Sequence, residues 1–306
     1  MKKEANHPYI VNSILALHRL LKLPYPEHPL VSVINLDEIE CFADESLKSV
    51  INNFYLICIK KKFEGKLKYG QNYCDFDKGV VTFFSPGQVI STDITLGVSL
   101  SGWWLVIHPD FIRNYQLAKT IKDYGYFSYE VNEALHLSEK EETMITSIMK
   151  NVEQEYRSVI DNFSQDVMIS HIELLLNYAN RFYNRQFITR KAANHDILIK
   201  LEALLAKYFD NGENLRSGLP TVQYISAKLN VSSNYLSDLL RTLTGQSTQQ
   251  HIHNKLIEKA KEILTTTSLS VSEIAYQLGF EYPQSFSKLF KTKTQVSPME
   301  FRNTFN

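Results

Sequence analysis

Cysteine is scarce in this chain. Cys41, Cys58 and Cys74 lie scattered through 306 residues, which excludes a disulfide framework and a CxxC metal site. Cys58 and Cys74 fall within strand-like runs and read as buried thiols in a reducing cytosol. Net charge is missing too: 33 basic side chains balance 33 acidic ones, so the chain is not basic throughout. Long apolar runs are absent. An early one, Ile14 to Leu17, is broken at once by His18 and Arg19, and no stretch approaches the ~20 apolar residues of a membrane span. No signal peptide and no membrane partner are expected, and the expected location is cytoplasmic. In the N-terminal part histidines do not cluster: His7, His18, His28, His108 and His136 stand singly, whereas a metal centre needs several ligands together. With no paired acid and base and no Ser-His-Asp set, no enzyme activity, metal or cofactor is expected.

What is present is ordinary globular composition, 44% apolar and 22% charged, with length enough for two domains. The charge is unevenly placed. Residues 1–216 hold 24 basic and 27 acidic side chains, and residues 217–306 hold 9 and 6. The tilt suits a polyanion-binding C-terminal end.

Residues 1–50 are mixed. From Asn53 short β-branched or aromatic runs follow one another: 54–61, 66–70, 73–76, 80–84 and 103–107, separated by turn signals such as Ser85-Pro86-Gly87. They predict a small antiparallel barrel or sandwich. Its aromatic residues, Tyr69, Tyr73, Phe76, Phe83, Phe84, Trp103 and Trp104, read as core packing, with Trp103 and Trp104 on opposite faces. Helices are predicted over 138–157, opened by a Ser138-x-x-Glu141 capping box, then over 164–187 and about 195–209. In the second of these, Ile172, Leu175, Leu176 and Ala179 form an apolar stripe, and the basic end, 180–191, stays solvated. The turn-rich 210–220 marks a linker.

An internal repeat then appears. ISAKL (225–229) is echoed by IAYQL (274–278), LSDLLR (236–241) by FSKLFK (286–291), and TGQS (244–247) by TQVS (294–297). Each copy is a short helix, a tight turn and a second helix. Ile225 and Leu229 face inward, Ser226 permits close approach, and Asn230 takes a left-handed turn. Gly279 does the same in the second copy. Ser247-x-x-Gln250, Ser270-x-x-Glu273 and Ser297-Pro298-x-Glu300 cap the helices, and Ile252, Leu256, Ala260, Ile263 and Leu264 give the connecting helix one apolar face. This is a paired helix-turn-helix pattern.

Over residues 221–306 the chain resembles the AraC/XylS family of bacterial transcription regulators. IAYQLGF (274–280), FSKLFK (286–291), VSP (296–298), FR (301–302) and YLSDLLRTLTG (235–245) carry the resemblance. It implies that each motif puts its second helix into the major groove of double-stranded promoter DNA, the two spaced about one turn, ~34 Å, apart. The implied DNA-binding residues are Ser233, Asn234, Ser237, Asp238 and Arg241 in the first, and Gln284, Ser285, Lys288 and Lys291 in the second. Asn and Gln suit adenine and Lys suits guanine or phosphate, while Arg241 and Lys291 fit phosphate contacts. Three departures stand out. Asp238 puts a carboxylate where a basic or polar reader often sits. Lys255 replaces a usual Arg. Gln295 replaces a usual Gly that Gly245 keeps, which predicts strain.

The resemblance also implies an α+β chain: an N-terminal antiparallel, cupin-like β-barrel (1–135), a helical dimerisation or linker region (136–210) and an all-α DNA-binding domain (211–306). The implied partners are promoter DNA, an unknown small-molecule effector, RNA polymerase and a second copy, which the resemblance pairs through the stripe of Ile172, Leu175, Leu176 and Ala179. The alternative is an N-terminal region that only dimerises or docks a partner.

Overall fold

The computed structural model describes residues 9–39, 49–60, 67–69, 72–74, 79–91, 101–130, 133–159, 161–189 and 191–304. Of the residues singled out above, His7, Cys41 and Phe76 lie outside that set, as do the side chains of Tyr69, Tyr73 and Cys74. The chain packs as two compact units, Met1–Gln186 and Phe187–Asn306.

The first unit is mixed. Its strands are β1 (Tyr9–Val11), β2 (Val31–Asn35), β3 (Ser49–Asn52), β4 (Tyr55–Lys60), β5 (Leu67–Tyr69), β6 (Asn72–Cys74), β7 (Val80–Phe84), β8 (Gln88–Ser91), β9 (Gly102–Ile107) and β10 (Leu135–His136). Its helices are α1 (Ile14–Leu20), the single turns α2 (Pro109–Ile112) and α3 (Leu117–Thr120), α4 (Glu139–Arg157) and α5 (Ser164–Thr189), which runs across the unit boundary. One sheet has the order β10-β7-β4-β9-β2 and a second has the order β1-β3-β8. All pairs of the first are antiparallel, whereas β1 runs parallel to β3. The sheets share one core: Leu56, Cys58, Phe84 and Val106 of the larger meet Val11, Val50 and Ile90 of the smaller, with Ile14 and Leu17 of α1.

Among the described residues none of the sheets, including the two-stranded β5-β6, closes on itself, so closure into the expected barrel is not confirmed, and the two larger sheets lie over a common core. Opposed apolar faces stabilise such a sandwich without the continuous hydrogen bonding that a barrel requires. Cys58 lies opposite Trp104, and Trp103 opposite Ile59, which puts the two tryptophans on opposite faces, as predicted. Burial pushes the Cys58 thiol up to about 12.

One expectation is overturned. Ile172, Leu175, Leu176 and Ala179 are buried within the unit and are unavailable to a second copy. Tyr126 explains why: its hydroxyl donates to the Leu176 carbonyl at 3.0 Å, and its ring stacks on Tyr183 at 5.4 Å. The helix therefore satisfies its apolar face at home. Gln186 ties it down further, accepting from His136 N at 2.8 Å and donating to the Ala134 carbonyl at 3.1 Å. The apolar groups that α5 exposes are Val167, Leu174 and Ile188.

The second unit is helical among its described residues: α6 (Lys191–Asp210), α7 (Glu213–Ser217), α8 (Val222–Leu229), α9 (Ser233–Thr244), α10 (Thr248–Thr266), α11 (Val271–Gln277), α12 (Pro283–Thr294) and α13 (Pro298–Asn303). Two apolar clusters form its interior. Leu201 and Leu205 of α6 join Ile225, Leu236, Leu240 and Ile252 in one. Tyr208 and Phe209 of α6 join Leu256, Ala260, Leu264, Ile274, Phe286 and Phe290 in the other.

Candidate nucleic-acid interface

The first motif, α8-turn-α9, is built as the sequence predicts. Thr221 caps α8 by accepting from Tyr224 N at 3.1 Å. Asn230 then turns the chain with φ 55° and ψ 44°, a left-handed conformation that an asparagine tolerates. Ser232 caps α9, accepting from Tyr235 N at 3.2 Å. Buried Ser226 has its Oγ 2.9 Å from Ser233 Oγ, so the two helices meet at small hydroxyls.

The second motif, α11-turn-α12, repeats the plan with different parts. Ser270 and Glu273 form a full capping box. The turn passes through Gly279 at φ 91°. Tyr282 precedes Pro283 at the start of α12 and makes no side-chain cap. Phe286 and Phe290 are fully buried below.

α10 and α6 each contribute to both clusters, which holds the motifs in one body. The importance of α6 was not read from the sequence. Leu201, Leu205, Tyr208 and Phe209 have helical spacing, but spacing does not name the partner.

The nine predicted residues fall on the two second helices. On α9, Asn234 and Arg241 are exposed, while Ser233, Ser237 and Asp238 are half-buried. Ser233 bonds Ser226 as described, and Ser237 Oγ lies 3.1 Å from the buried Thr248 Oγ1. Asp238 pairs with Arg241 at 3.2 Å. On α12, Gln284, Ser285, Lys288 and Lys291 are all exposed. Lys255, at the position flagged above, pairs with Glu258 at 3.3 Å on α10. Gln295 ends α12 at φ 68° and Gly245 ends α9 at φ 73°, the same left-handed cap made once without glycine.

Between the motifs α10 carries a polar network. Asn254 donates to Gln246 Oε1 at 2.8 Å and accepts from Lys293 at 3.2 Å. Burial lowers the pKa of His251 and of His253, and the Lys293 charge adds to the second shift.

A family profile described as "Helix-turn-helix domain" matches residues 225–304, so one profile spans both motifs. The C-terminal domain is an AraC-type helix-turn-helix domain. Its relatives include helix-turn-helix transcriptional regulators. The chain is 28% identical over 149 residues to the HTH-type transcriptional regulator YfiF of Bacillus subtilis, covering 49% of this chain and 44% of that protein. It is 35% identical over 81 residues to the Msm operon regulatory protein of Streptococcus mutans, covering 26% and 29%. A solved structure, the C-terminal domain of the two-component response regulator yesN from Fusobacterium nucleatum, is 34% identical over 33% of this chain and 96% of that one, with a TM-score of 0.29. The chain thus spans less than half the length of these two curated relatives.

Proposed function

We propose that this protein is a sequence-specific transcription regulator that reads promoter DNA with α9 and α12 in adjacent major grooves. The observation that carries the reading is the mounting of two helix-turn-helix motifs on one body by α6 and α10. Rigid mounting gives the two helices a fixed separation, which is what a bipartite site recognises. Asn234 and Gln284 supply amides for base edges. Lys288, Lys291 and Arg241 supply cations for phosphate, and Ser233, Ser237, Asp238 and Ser285 complete the surface.

The regulatory role falls to the N-terminal unit, which has its own core and is joined to the AraC-type domain through α5. In this reading the protein acts in the cytoplasm as a homodimer. A small effector binds one arrangement of the regulator more tightly than another, and that difference shifts the population. RNA polymerase is the partner through which the bound regulator acts.

Selection of genomic fragments with the purified full-length protein tests this reading. The wild type is expected to enrich a bipartite site, and an Asn234→Ala/Gln284→Ala variant is expected to lose it. Equal enrichment by both proteins would overturn the assignment of the reading residues.

A further inference from the structure

We propose that the loop carrying α7 sets the angle of the second recognition helix, with Asn214 as its positioning residue. The proposal rests on the paired-motif reading above and deepens it. Residues 210–220 have the composition of a linker, yet Asn214 and Pro220 within them are buried.

Asn214 is 4% exposed. Its side-chain amide donates to the carbonyl of Gln277, a group at the end of α11 that the helix itself leaves without a donor. The Asn214 backbone carbonyl oxygen lies 2.8 Å from where a Cβ on Gly279 would stand, and Gly218 Cα lies 3.3 Å from it. The turn of the second motif therefore sits flush against the loop, and it does so because position 279 is glycine. The other side of the loop is fastened to the first motif and its support. Tyr224, in the first turn of α8, donates to Glu213 Oε2 at 2.8 Å. Tyr208 of α6 donates to the Gly218 carbonyl at 2.9 Å.

The motifs are thus tied by the apolar packing of α6 and α10 and, in addition, by the hydrogen bonds of this loop. Apolar packing is non-directional and fixes separation better than angle. The loop stops α11-turn-α12 from rocking, because movement would strip a buried amide and a carbonyl of their partners. Base recognition needs that restraint, since bidentate contacts weaken steeply with misalignment. Asn214 acts through α11 and touches no DNA.

The test uses the full-length protein and the bipartite site it selects, with Gln284→Ala identifying the half read by α12. Dissociation constants are measured for the selected site and for sites carrying one changed base pair in either half. Asn214→Ala is expected to reduce discrimination in the α12 half about tenfold, the scale of one good base contact, and to leave the α9 half within about twofold. Glu213→Ala, a milder change, shifts the same ratio by roughly threefold, as loss of one hydrogen bond implies. Simple loss of folded protein scales all affinities together and leaves both ratios at wild-type values. Unchanged ratios, or equal falls in both halves, overturn the proposal and leave the paired-motif reading standing. A wild type that discriminates in one half only, or in neither, overturns that reading and the proposal with it.

Discussion

The two helix-turn-helix motifs have the same plan and different fittings. The first turns at Asn230, packs Ser226 against Ser233, and spends much of its second helix's polarity on itself: Ser237 binds Thr248 and Asp238 holds Arg241. The second turns at Gly279, buries Phe286 and Phe290, and leaves Gln284, Ser285, Lys288 and Lys291 exposed. Among the described residues none of those four side chains makes a side-chain hydrogen bond or ion pair. Repetition in sequence therefore does not mean equal division of labour. The first motif is the more self-satisfied and the second the more available to a polyanion.

The turns separate the motifs most sharply. Gly279→Ala places a methyl against the Asn214 carbonyl at a positive φ and is expected to cost about 3 kcal/mol, combining backbone strain with overpacking. Asn230→Gly occupies a φ that glycine adopts freely and is expected to change stability by less than about 1 kcal/mol. Urea unfolding of the full-length protein checks both. Equal costs would erase the distinction between a turn pressed against its neighbour and one that is not.

Charge gives the next contrast. Lys291→Met is expected to reduce the slope of log affinity against log salt by about 0.9, one phosphate contact. Arg241→Met is expected to do less, because Asp238 already pairs with that guanidinium. Asp238→Asn is expected to strengthen DNA binding a few-fold by releasing Arg241 and removing a carboxylate from the interface. Fluorescence anisotropy over a salt series measures all three, and a larger slope change for Arg241→Met would reverse the ranking.

The helix ends provide a smaller effect. Gln295→Gly is expected to stabilise the protein by about 1 kcal/mol, by removing a left-handed glutamine, whereas the equivalent place in the first motif is already Gly245. A rise in Tm of the variant checks it, and a fall would mean that the Gln295 side chain earns its place through contacts that glycine lacks.

The smallest effect is pH dependence. Thr221 and Ser232 cap the first motif without a carboxylate partner, whereas Glu273 and Glu300 complete the Ser270 and Ser297 boxes. Hydrogen bonds to those serines hold both carboxyls below the ordinary 4.5. A lowered acid contributes stability that is present above its unfolded value and is lost as pH falls through the folded one. The ends of α11 and α13 should therefore lose hydrogen-exchange protection below about pH 4.5 before those of α8 and α9. Simultaneous loss would contradict the difference in capping.

Much of this was legible in the sequence. The strands at 80–84 and 103–107, the helices from Ser138 and Ser164, the capping boxes and the left-handed turn at Asn230 all follow from local chemistry, and the structure has them. The strain expected at Gln295 is present as a positive φ. Long-range facts were not legible. β1 is three residues long and pairs in parallel with β3 across the intervening chain, so no local period announces it. The stripe on α5 showed an apolar face but not that its cover is internal. The segment 210–220 looked like a linker because its glycines and asparagines favour turns, and Gly212 and Gly218 indeed turn, but Asn214 and Gly218 pack against the second motif. The predicted readers are brought together on α9 and α12, while the hydroxyl partnerships of Ser233 and Ser237 depend on residues from neighbouring helices that spacing alone does not reveal.

In the proposed function two helices on one body read one bipartite site. Hydroxyl-radical footprinting of the full-length protein on its selected site is the decisive measurement. Two protected patches are expected on the same face of the duplex, centred about one turn, ~34 Å, apart, with the patch assigned to α12 lost in Gln284→Ala/Lys288→Ala. A single patch in the wild type, or two whose separation varies from site to site, would contradict it.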